Sequence, residues 1–234
     1  MRPRTRRTWP EGKALVSMHM KIHAQALLFD NDGTLLSSIE SVYRCWTRWA
    51  QEYGLTAEDF QGVELHGRTA GEIIAELLPA DRVDGALARI EQLEVEDAPG
   101  GVVILPGTKE LLGALPAHRW AVVTSATRLL GEARLREVGI DFPVMIAAED
   151  VTRGKPDPEP YLLAAARLGV DPARCVVFED APAGLRAGRA AGMKTVALAT
   201  THDRSELDAD VVIGDLSAVS VQVTAQGVEI TTVG

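Results

Sequence analysis

From Gln25 onward, short apolar runs alternate with amphipathic stretches along most of the chain. Runs of four or five mainly apolar residues, bounded by turn residues, are typical of strands buried on both faces of a sheet. Strands separated by helices predict a parallel sheet with right-handed crossovers, that is, a doubly wound α/β core. The predicted strands cover residues 26–29, 120–124, 143–147, 175–178 and 195–199, and the amphipathic segments between them cover 129–138, 161–168 and 183–191.

Residues 37–100 depart from this alternation. Segments 39–53, 70–78 and 81–95 have helical periodicity, and no strand-like run separates them. We therefore expect a small all-helical insert over 37–100, placed after the first strand of a Rossmann-like core built from 25–36 and 101–234.

The two ends of the chain have different patterns. Val219–Thr224 and Val228–Thr232 alternate apolar and polar residues around Gln226-Gly227, which predicts a terminal β-hairpin. Residues 1–24 show no periodicity before Ile22, and the first 25 residues carry six basic side chains against one acid. We expect residues 1–24 to form a flexible leader.

Composition narrows the classes of function. The formal net charge of −9 argues against general binding to nucleic acid or to an anionic membrane. No apolar run approaches the roughly 20 residues that span a bilayer. Cys45 and Cys175 lie far apart with no CxxC spacing, which favours a reducing, cytoplasmic location. Because the net charge is negative, any affinity for phosphate must come from a few residues at one site rather than from the protein surface as a whole.

Polar and charged residues follow the predicted strands. In an open parallel sheet the ligand site lies outside the carboxyl ends of the strands, so residues at these ends are expected to converge on one pocket. They are Asp30 and Asp32 after the first strand, Ser125 after the second, Lys155 after the third, and Glu179 with Asp180 after the fourth.

These residue types favour chemistry on a phosphate group. Asp30 and Asp32 lie two positions apart on a turn, so one carboxylate can attack while the other handles a proton. A cluster of four carboxylates is difficult to hold without a hard divalent cation, most simply Mg²⁺. Lys155 and Ser125 supply a cation and a hydrogen-bond donor for phosphoryl oxygens.

Four ordered motifs resemble those of the haloacid dehalogenase-like hydrolase superfamily. They are FDNDGTL at 29–35, VTS at 123–125, GKP at 154–156 and VFED at 177–180. The wider segments GKPDPEPY at 154–161 and FEDAPAG at 178–184 are similar to the small sugar-phosphate and glycerol-phosphate phosphatases of that group. The resemblance extends from Gln25 to Leu216.

The resemblance implies a two-step phosphoryl transfer. Asp30 would form an aspartyl-phosphate, and Asp32 would serve as general acid and then as general base. Ser125 and Lys155 would clamp the phosphoryl oxygens, together with backbone N–H groups of the turn at 31–33, Asn31 included. The residues implied as Mg²⁺ ligands are the Asp30 carboxylate, the Asp32 backbone carbonyl and Asp180, with Glu179 ligating through water or orienting Lys155.

The resemblance also argues against dehalogenation, since the dehalogenases of this superfamily lack an acid at the position of Asp32 because a departing halide needs no proton. Asn31 departs from the family pattern, which usually has an aliphatic or aromatic residue there, and a polar side chain at this position can alter the packing around the nucleophile. The site would take a small phosphorylated metabolite, and the protein is expected to be a monomer or weak homodimer.

The helical insert resembles the cap domain that closes over such sites. Its loop His66-Gly67-Arg68-Thr69 is similar to the cap loop that reaches the substrate, so Arg68 and His66 are candidate substrate contacts. Arg128, just after the second motif, is a further candidate. Trp46 and Trp49 lie three apart on a predicted helix and are expected to pack the core of the insert rather than to stack on a ligand.

Other interpretations stay open at this point. A sugar phosphomutase of the same superfamily would use the same residues, and a non-catalytic module that binds a phosphorylated ligand would keep the fold alone. Ser125 has an alternative role as the cap of the helix that follows it. Glu179 and Asp180 have the same alternative at the helix after Pro182.

Overall fold

The structure, a computed structural model, describes residues 19–61, 63 and 68–233. The strands in these ranges are β1 His19–Ala24, β2 Ala26–Phe29, β3 Leu36–Ser37, β4 Val103–Ile104, β5 Trp120–Val123, β6 Met145–Ile146, β7 Cys175–Glu179, β8 Lys194–Leu198, β9 Val211–Ile213, β10 Val219–Thr224 and β11 Gly227–Val233. The α-helices are α1 Ile39–Tyr53, α2 Ala70–Leu77, α3 Ala80–Asp97, α4 Thr108–Gly113, α5 Arg128–Glu137, α6 Glu159–Leu168 and α7 Pro182–Ala190.

Six strands form a sheet in the order β6-β5-β2-β7-β8-β9, and all neighbouring pairs are parallel. The chain begins this sheet at β2, extends it to one side through β5 and β6, and then to the other through β7, β8 and β9. The strand order therefore reverses at β2, and ligands bind at such a switch point. The predicted doubly wound α/β core is confirmed. The edge strand β9 was not predicted, because its three residues are too short a run to stand out.

Both faces of this sheet are covered. Side chains alternate between the faces because successive Cβ atoms of a strand point in opposite directions. Leu27 and Phe29 pack on the side that holds α4 and the antiparallel sheet of β1, β10 and β11. Ala26 and Leu28 pack on the side that holds α6 and α7. This two-sided burial explains why the strands read as continuous apolar runs.

The insert consists of α1, α2 and α3, which share a hydrophobic cluster of their own. Trp46 and Trp49 both belong to this cluster, as expected, and the Trp49 indole N–H donates to the Ala86 carbonyl at 2.9 Å. The helix predicted over 39–53 is α1. The chain leaves the core through β3 and returns through β4, and these two short strands pair with each other in antiparallel fashion.

The N-terminal prediction needs a correction. Residues 19–24 lie within the expected flexible leader, but they form β1, which pairs along its whole length with β11. The reason is that Ile22 and Ala24 are buried against the core, while Lys21 forms an ion pair with Glu229 at 2.8 Å. Residues 1–18 lie outside the described part of the chain. The predicted C-terminal hairpin is confirmed as β10 and β11.

None of the helices in the described residues has the length and apolar character needed to cross a membrane.

Candidate active site

Lys155 lies at the centre of the polar residues that follow the strands. Its buried ammonium donates to Asp30 Oδ1 at 2.6 Å and to Glu179 Oε1 at 2.6 Å. It also donates to the Val123 carbonyl, at 2.8 Å, at the end of β5. One lysine therefore joins the ends of β2, β5 and β7. The two carboxylates raise the pKa of Lys155, so its charge persists despite burial.

Glu179, the last residue of β7, is held from several directions. The Tyr161 hydroxyl donates to Glu179 Oε1 at 2.7 Å, and burial together with the charge of Glu179 raises the pKa of that hydroxyl. The other oxygen of Glu179 accepts from the backbone N–H groups of Asp180 and Ala181. Helix α7 approaches closely because residue 184 is glycine: a Cβ there would lie 1.7 Å from Glu179 Oε1.

Asp180 faces the turn that follows β2. A Cβ at Gly33 would lie 2.2 Å from Asp180 Oδ2, and Gly33 has a φ of +88°, so glycine is needed both for space and for conformation. The Thr201 hydroxyl donates to the Asp180 carboxylate. The turn itself closes through the Gly33 N–H, which donates to the Leu36 carbonyl at 2.7 Å. The Gly33 N–H is therefore occupied within the turn, and of the N–H groups predicted to bind phosphate, those of Asn31 and Asp32 stay a prediction.

The site carries excess negative charge. Ligand oxygens of Asp30, Glu179 and Asp180 lie within 4.8 Å of one another, with one lysine among them. Burial raises the pKa of Asp30 despite the neighbouring Lys155. Burial together with the Glu179 carboxylate raises the pKa of Asp180 to about 7. A set of carboxylate oxygens at this spacing is the donor chemistry that a hard divalent cation prefers, so these residues fit a metal ion.

Asp32 lies apart from this group. Its Oδ1 is 3.0 Å from Arg134 Nη1 of α5, and its Oδ2 accepts from Asn31 Nδ2 at 3.3 Å. Of the four carboxylates expected to form one cluster, three lie together and that of Asp32 does not. The cluster divides into a lysine-centred group of three and a separate pair of Asp32 with its own cation, because the turn directs the two aspartates to different partners.

Ser125 lies between β5 and α5 and lines the same cavity as Asp30. The alternative that Ser125 caps α5 is wrong, because the N-cap of that helix is Thr127, whose side chain accepts from the Leu130 N–H. The corresponding alternative for Glu179 holds in part, since its carboxylate accepts the N–H groups that precede α7.

A cavity of about 340 Å³ lies between the insert and the core. Its floor contains Asp30, Asp32, Ser125 and Asp180 at the carboxyl edge of the sheet. Its roof is largely apolar and comes from all three helices of the insert. The roof residues include Val42, Trp46, Ile73, Leu87 and Ile90, with Arg68, Glu91 and Glu94 as charged members.

The predicted substrate contacts have different outcomes. Arg68 lines the cavity and pairs with Glu76 at 2.6 Å, just before the N-cap of α2. His66 lies outside the described residues. The side chain of Asn31 is fully buried and contacts Asp32 rather than the cavity.

Arg128 is a further correction. Its guanidinium pairs with Asp150 and donates to the Met145 carbonyl at 3.3 Å, and Arg128 is not among the residues that line the cavity. The first turn of α5 directs this side chain along the protein surface toward the loop after β6. We therefore assign Arg128 a structural contact rather than a substrate contact.

Sequence reasoning missed four residues of the site. Tyr161 and Thr201 hold the acids Glu179 and Asp180, and Arg134 and Glu94 form a chain of charges with Asp32. Tyr161 could have been identified from the sequence, because it is the last residue of the segment GKPDPEPY at 154–161. The other three lie within ordinary helix or loop sequence, and no local pattern distinguishes them from surface residues.

The fold and the site together define an α/β protein with a helical insert and with an acid and lysine centre at the carboxyl edge of its sheet. Residues 24–192 match the family model described as haloacid dehalogenase-like hydrolase. The chain therefore belongs to the haloacid dehalogenase-like hydrolases, as the four motifs indicated.

Individual relatives agree with this family. The chain is 37% identical over 208 residues to hexitol phosphatase A of Escherichia coli (strain K12), covering 86% of this chain and 95% of the relative. It is 39% identical over 201 residues to validoxylamine A 7'-phosphate phosphatase of Streptomyces hygroscopicus subsp. limoneus, covering 82% and 94%. Both relatives are phosphatases by name.

A solved structure has the same architecture. The crystal structure of CbbY from Rhodobacter sphaeroides in complex with phosphate superposes with a TM-score of 0.72 at 28% identity. The match covers 83% of this chain and 95% of that chain.

Proposed function

We propose that the protein is a Mg²⁺-dependent phosphatase that hydrolyses a small phosphomonoester, a sugar or polyol phosphate, through an aspartyl-phosphate. The observation that carries this proposal is the position of Lys155, whose ammonium contacts both Asp30 and Glu179 at 2.6 Å. Through Lys155, groups from the ends of β2, β5 and β7 lie close together beside one cavity. Phosphoryl transfer requires a nucleophile and charge-stabilising groups in such proximity.

In the first step, an oxygen of the Asp30 carboxylate attacks phosphorus. The bond between phosphorus and the ester oxygen breaks, and Asp32 gives its proton to the departing alkoxide. Lys155 orients the nucleophile through its hydrogen bond to Asp30 Oδ1. Ser125 donates to the phosphoryl oxygens, on which negative charge is concentrated, and the nearby positive charge of Lys155 stabilises that charge electrostatically.

In the second step, water attacks the phosphorus of the aspartyl-phosphate. Asp32, now ionised, accepts a proton from this water, the acyl–phosphate bond breaks, and Asp30 returns to its carboxylate form with release of inorganic phosphate. Asp32 can reach the reacting groups in both steps because it lines the same cavity as Asp30.

The metal ion would be held by the Asp30 carboxylate, the Asp32 backbone carbonyl and Asp180. Glu179 would ligate through water while it also holds Lys155 in place. When bound, Mg²⁺ offsets the negative charge of the acids and of the phosphoryl group. Thr201 positions Asp180 for this role through its hydroxyl.

We propose that α1, α2 and α3 act as a cap that selects the alcohol of the ester and excludes water before the first transfer. Arg68 lines the cavity from this side, where it can reach hydroxyl groups of the substrate. The name of the hexitol phosphatase supports a polyol phosphate as the substrate class.

The test is phosphate release from a panel of sugar, polyol and nucleotide monophosphates, with Mg²⁺ and with EDTA. The wild-type protein should release phosphate from sugar or polyol esters only with the metal. Asp30→Asn should lower kcat by at least about 1,000-fold, because removal of the nucleophile eliminates the covalent route. Asp84→Asn, an exposed aspartate of α3, is the matched control and should keep full activity.

The same panel separates the alternatives. A phosphomutase would convert one hexose phosphate into its isomer with little free phosphate. A binding module would release phosphate from no member of the panel. Full activity of Asp30→Asn would refute the nucleophile assignment, even with an active wild-type enzyme.

A further inference from the structure

Arg134 is a buried cation between two carboxylates from different parts of the fold. It lies on α5 and is 4% exposed. Its Nη1 is 3.0 Å from Asp32 Oδ1 in the core, and its Nη2 donates to Glu94 Oε1 of α3 at 3.2 Å. Helix α3 belongs to the cap, so Arg134 connects the cap directly to the residue proposed as acid and base.

All three groups line the cavity in which we propose that the ester is cleaved. Asp32, Arg134 and Glu94 line the 340 Å³ cavity together with Asp30 and Ser125. A guanidinium is planar, and its donors have a fixed fork geometry, so it restricts the orientation of a carboxylate more than a lysine does.

The stability of the fold is a weak explanation for a buried arginine between two carboxylates. A buried ion pair costs desolvation energy, and apolar replacements of similar volume are often equally stable. The contact between α3 and α5 also has other polar links. The Thr127 hydroxyl donates to the Glu91 carboxylate, and the Gly100 N–H donates to Glu137 Oε1 at 2.9 Å. Arg134 is therefore not the sole polar link between these two parts of the fold.

We propose that Arg134 is a positioning residue for Asp32, and that Glu94 holds Arg134 in place from the cap. This inference rests on the proposed function, in which Asp32 protonates the leaving alkoxide. Arg134 directs the Asp32 carboxyl toward the ester oxygen, and docking of α3 completes the alignment. The proton donor is thus correctly oriented when the cap covers the substrate.

The experiment compares leaving groups that differ in their need for a proton. An alkoxide needs the proton from Asp32 as it departs, whereas p-nitrophenolate is stable without one. The parameter kcat/KM reports the steps up to departure of the leaving group and so is independent of the later hydrolysis. The substrates are p-nitrophenyl phosphate and the sugar or polyol phosphate with the highest turnover in the panel.

Arg134→Met should lower kcat/KM for the alkyl phosphate by about 100-fold, in the range of a general-acid contribution. For p-nitrophenyl phosphate the loss should stay below about threefold. Asp32→Asn should show the same selectivity with a larger loss. Arg134→Lys should recover part of the alkyl activity, and Glu94→Gln should give a smaller loss with the same selectivity.

Matched controls come from the same helices. Arg136→Met on α5 and Glu96→Gln on α3 change exposed residues and should alter neither substrate. Equal losses on both substrates in Arg134→Met would overturn the proposal, because a purely structural role affects both alike. If Arg134→Met fails to fold, Arg134→Lys and Glu94→Gln provide the test, through the ratio of the loss in kcat/KM on the alkyl phosphate to the loss on p-nitrophenyl phosphate. A wild-type protein that hydrolyses neither ester would instead refute the proposed function.

Discussion

Glycine 184 shows how a residue without a side chain shapes the site. Its Cα hydrogen faces Glu179, and this allows α7 to begin directly beside the acid that holds Lys155. The close approach lets Glu179 accept hydrogen bonds from the loop before α7 as well as from Tyr161. The position of the lysine therefore depends on a glycine that acts through its neighbour Glu179.

Gly184→Ala should disable the site. The new methyl group would overlap with Glu179, whose carboxylate would have to move away from Lys155. We expect a loss of about 1–3 kcal/mol in the free energy of unfolding, typical of overpacking, and a fall in kcat of about 100-fold or more. Urea unfolding and phosphate release measure the two effects.

Gly85→Ala is the control for this substitution. Gly85 lies in α3 with no atom within 4 Å of a new Cβ, so alanine should be neutral or stabilise the helix by up to about 1 kcal/mol. Full activity in Gly184→Ala would show that Glu179 does not need its observed position.

Arg68 should determine substrate preference rather than the chemical step. Arg68→Ala should raise KM for a sugar or polyol phosphate about tenfold, the effect of one lost polar contact. It should leave kcat within about twofold. Steady-state kinetics provides the measurement. Glu76→Gln changes the partner of Arg68 but keeps the arginine, and KM should change less. A fall in kcat with constant KM would contradict this role.

At the level of elements, the helices of the insert were clear from periodicity, whereas their connections to the core were not. The short pair of β3 and β4 joins two segments more than sixty positions apart, and neither strand is long enough to leave a pattern. The strand β1 was missed for a related reason. Its buried residues Ile22 and Ala24 pack against the core, and its backbone pairs with β11 at the far end of the chain, so no local pattern marks the strand.

The hydrophobic cluster of the insert should contribute strongly to stability. Trp49 is fully buried, and its indole N–H donates to the Ala86 carbonyl. Trp49→Ala should cost about 3–5 kcal/mol in the free energy of unfolding, as large-to-small substitutions in cores do. Thr47→Ala, at an exposed position of the same helix, should stay within about 0.5 kcal/mol. Chemical denaturation checks both, and a small loss for Trp49→Ala would mean that the insert can repack.

At the level of the whole molecule, folding concentrates acids in the site. Asp30, Glu179 and Asp180 come from two regions about 150 positions apart, and burial raises the pKa of Asp180 from 3.8 to about 7. At a pH between these two pKa values, Asp180 of the metal-free folded protein is protonated, whereas Asp180 of the unfolded chain is ionised. The free energy of unfolding should therefore fall as pH rises through that window.

Mg²⁺ should reverse this loss. Metal binding requires ionised carboxylates, so stabilisation by Mg²⁺ should be larger at about pH 8 than at about pH 5.5. Mg²⁺ at about 100 times its Kd adds about 2.7 kcal/mol, which corresponds to roughly 5–10 °C in Tm for a protein of this size. Calorimetry with and without Mg²⁺ measures the shift.

Asp180→Asn should remove most of this Mg²⁺-dependent shift in Tm, and Asp84→Asn should keep it. An equal shift in the wild type and Asp180→Asn would place the metal elsewhere.

The amino-acid sequence by itself determined the α/β core, the helices of the insert and the residues at the strand ends. Strand burial, helix periodicity and the position of a residue after a strand are local properties that a linear pattern records. The tertiary structure decided which charges meet. It divided the two aspartates of one turn between Lys155 and Arg134, and it turned Arg128 away from the cavity. Such pairings depend on the distances between elements remote in the chain, because an ion pair forms only where packing brings both charges within a few ångströms.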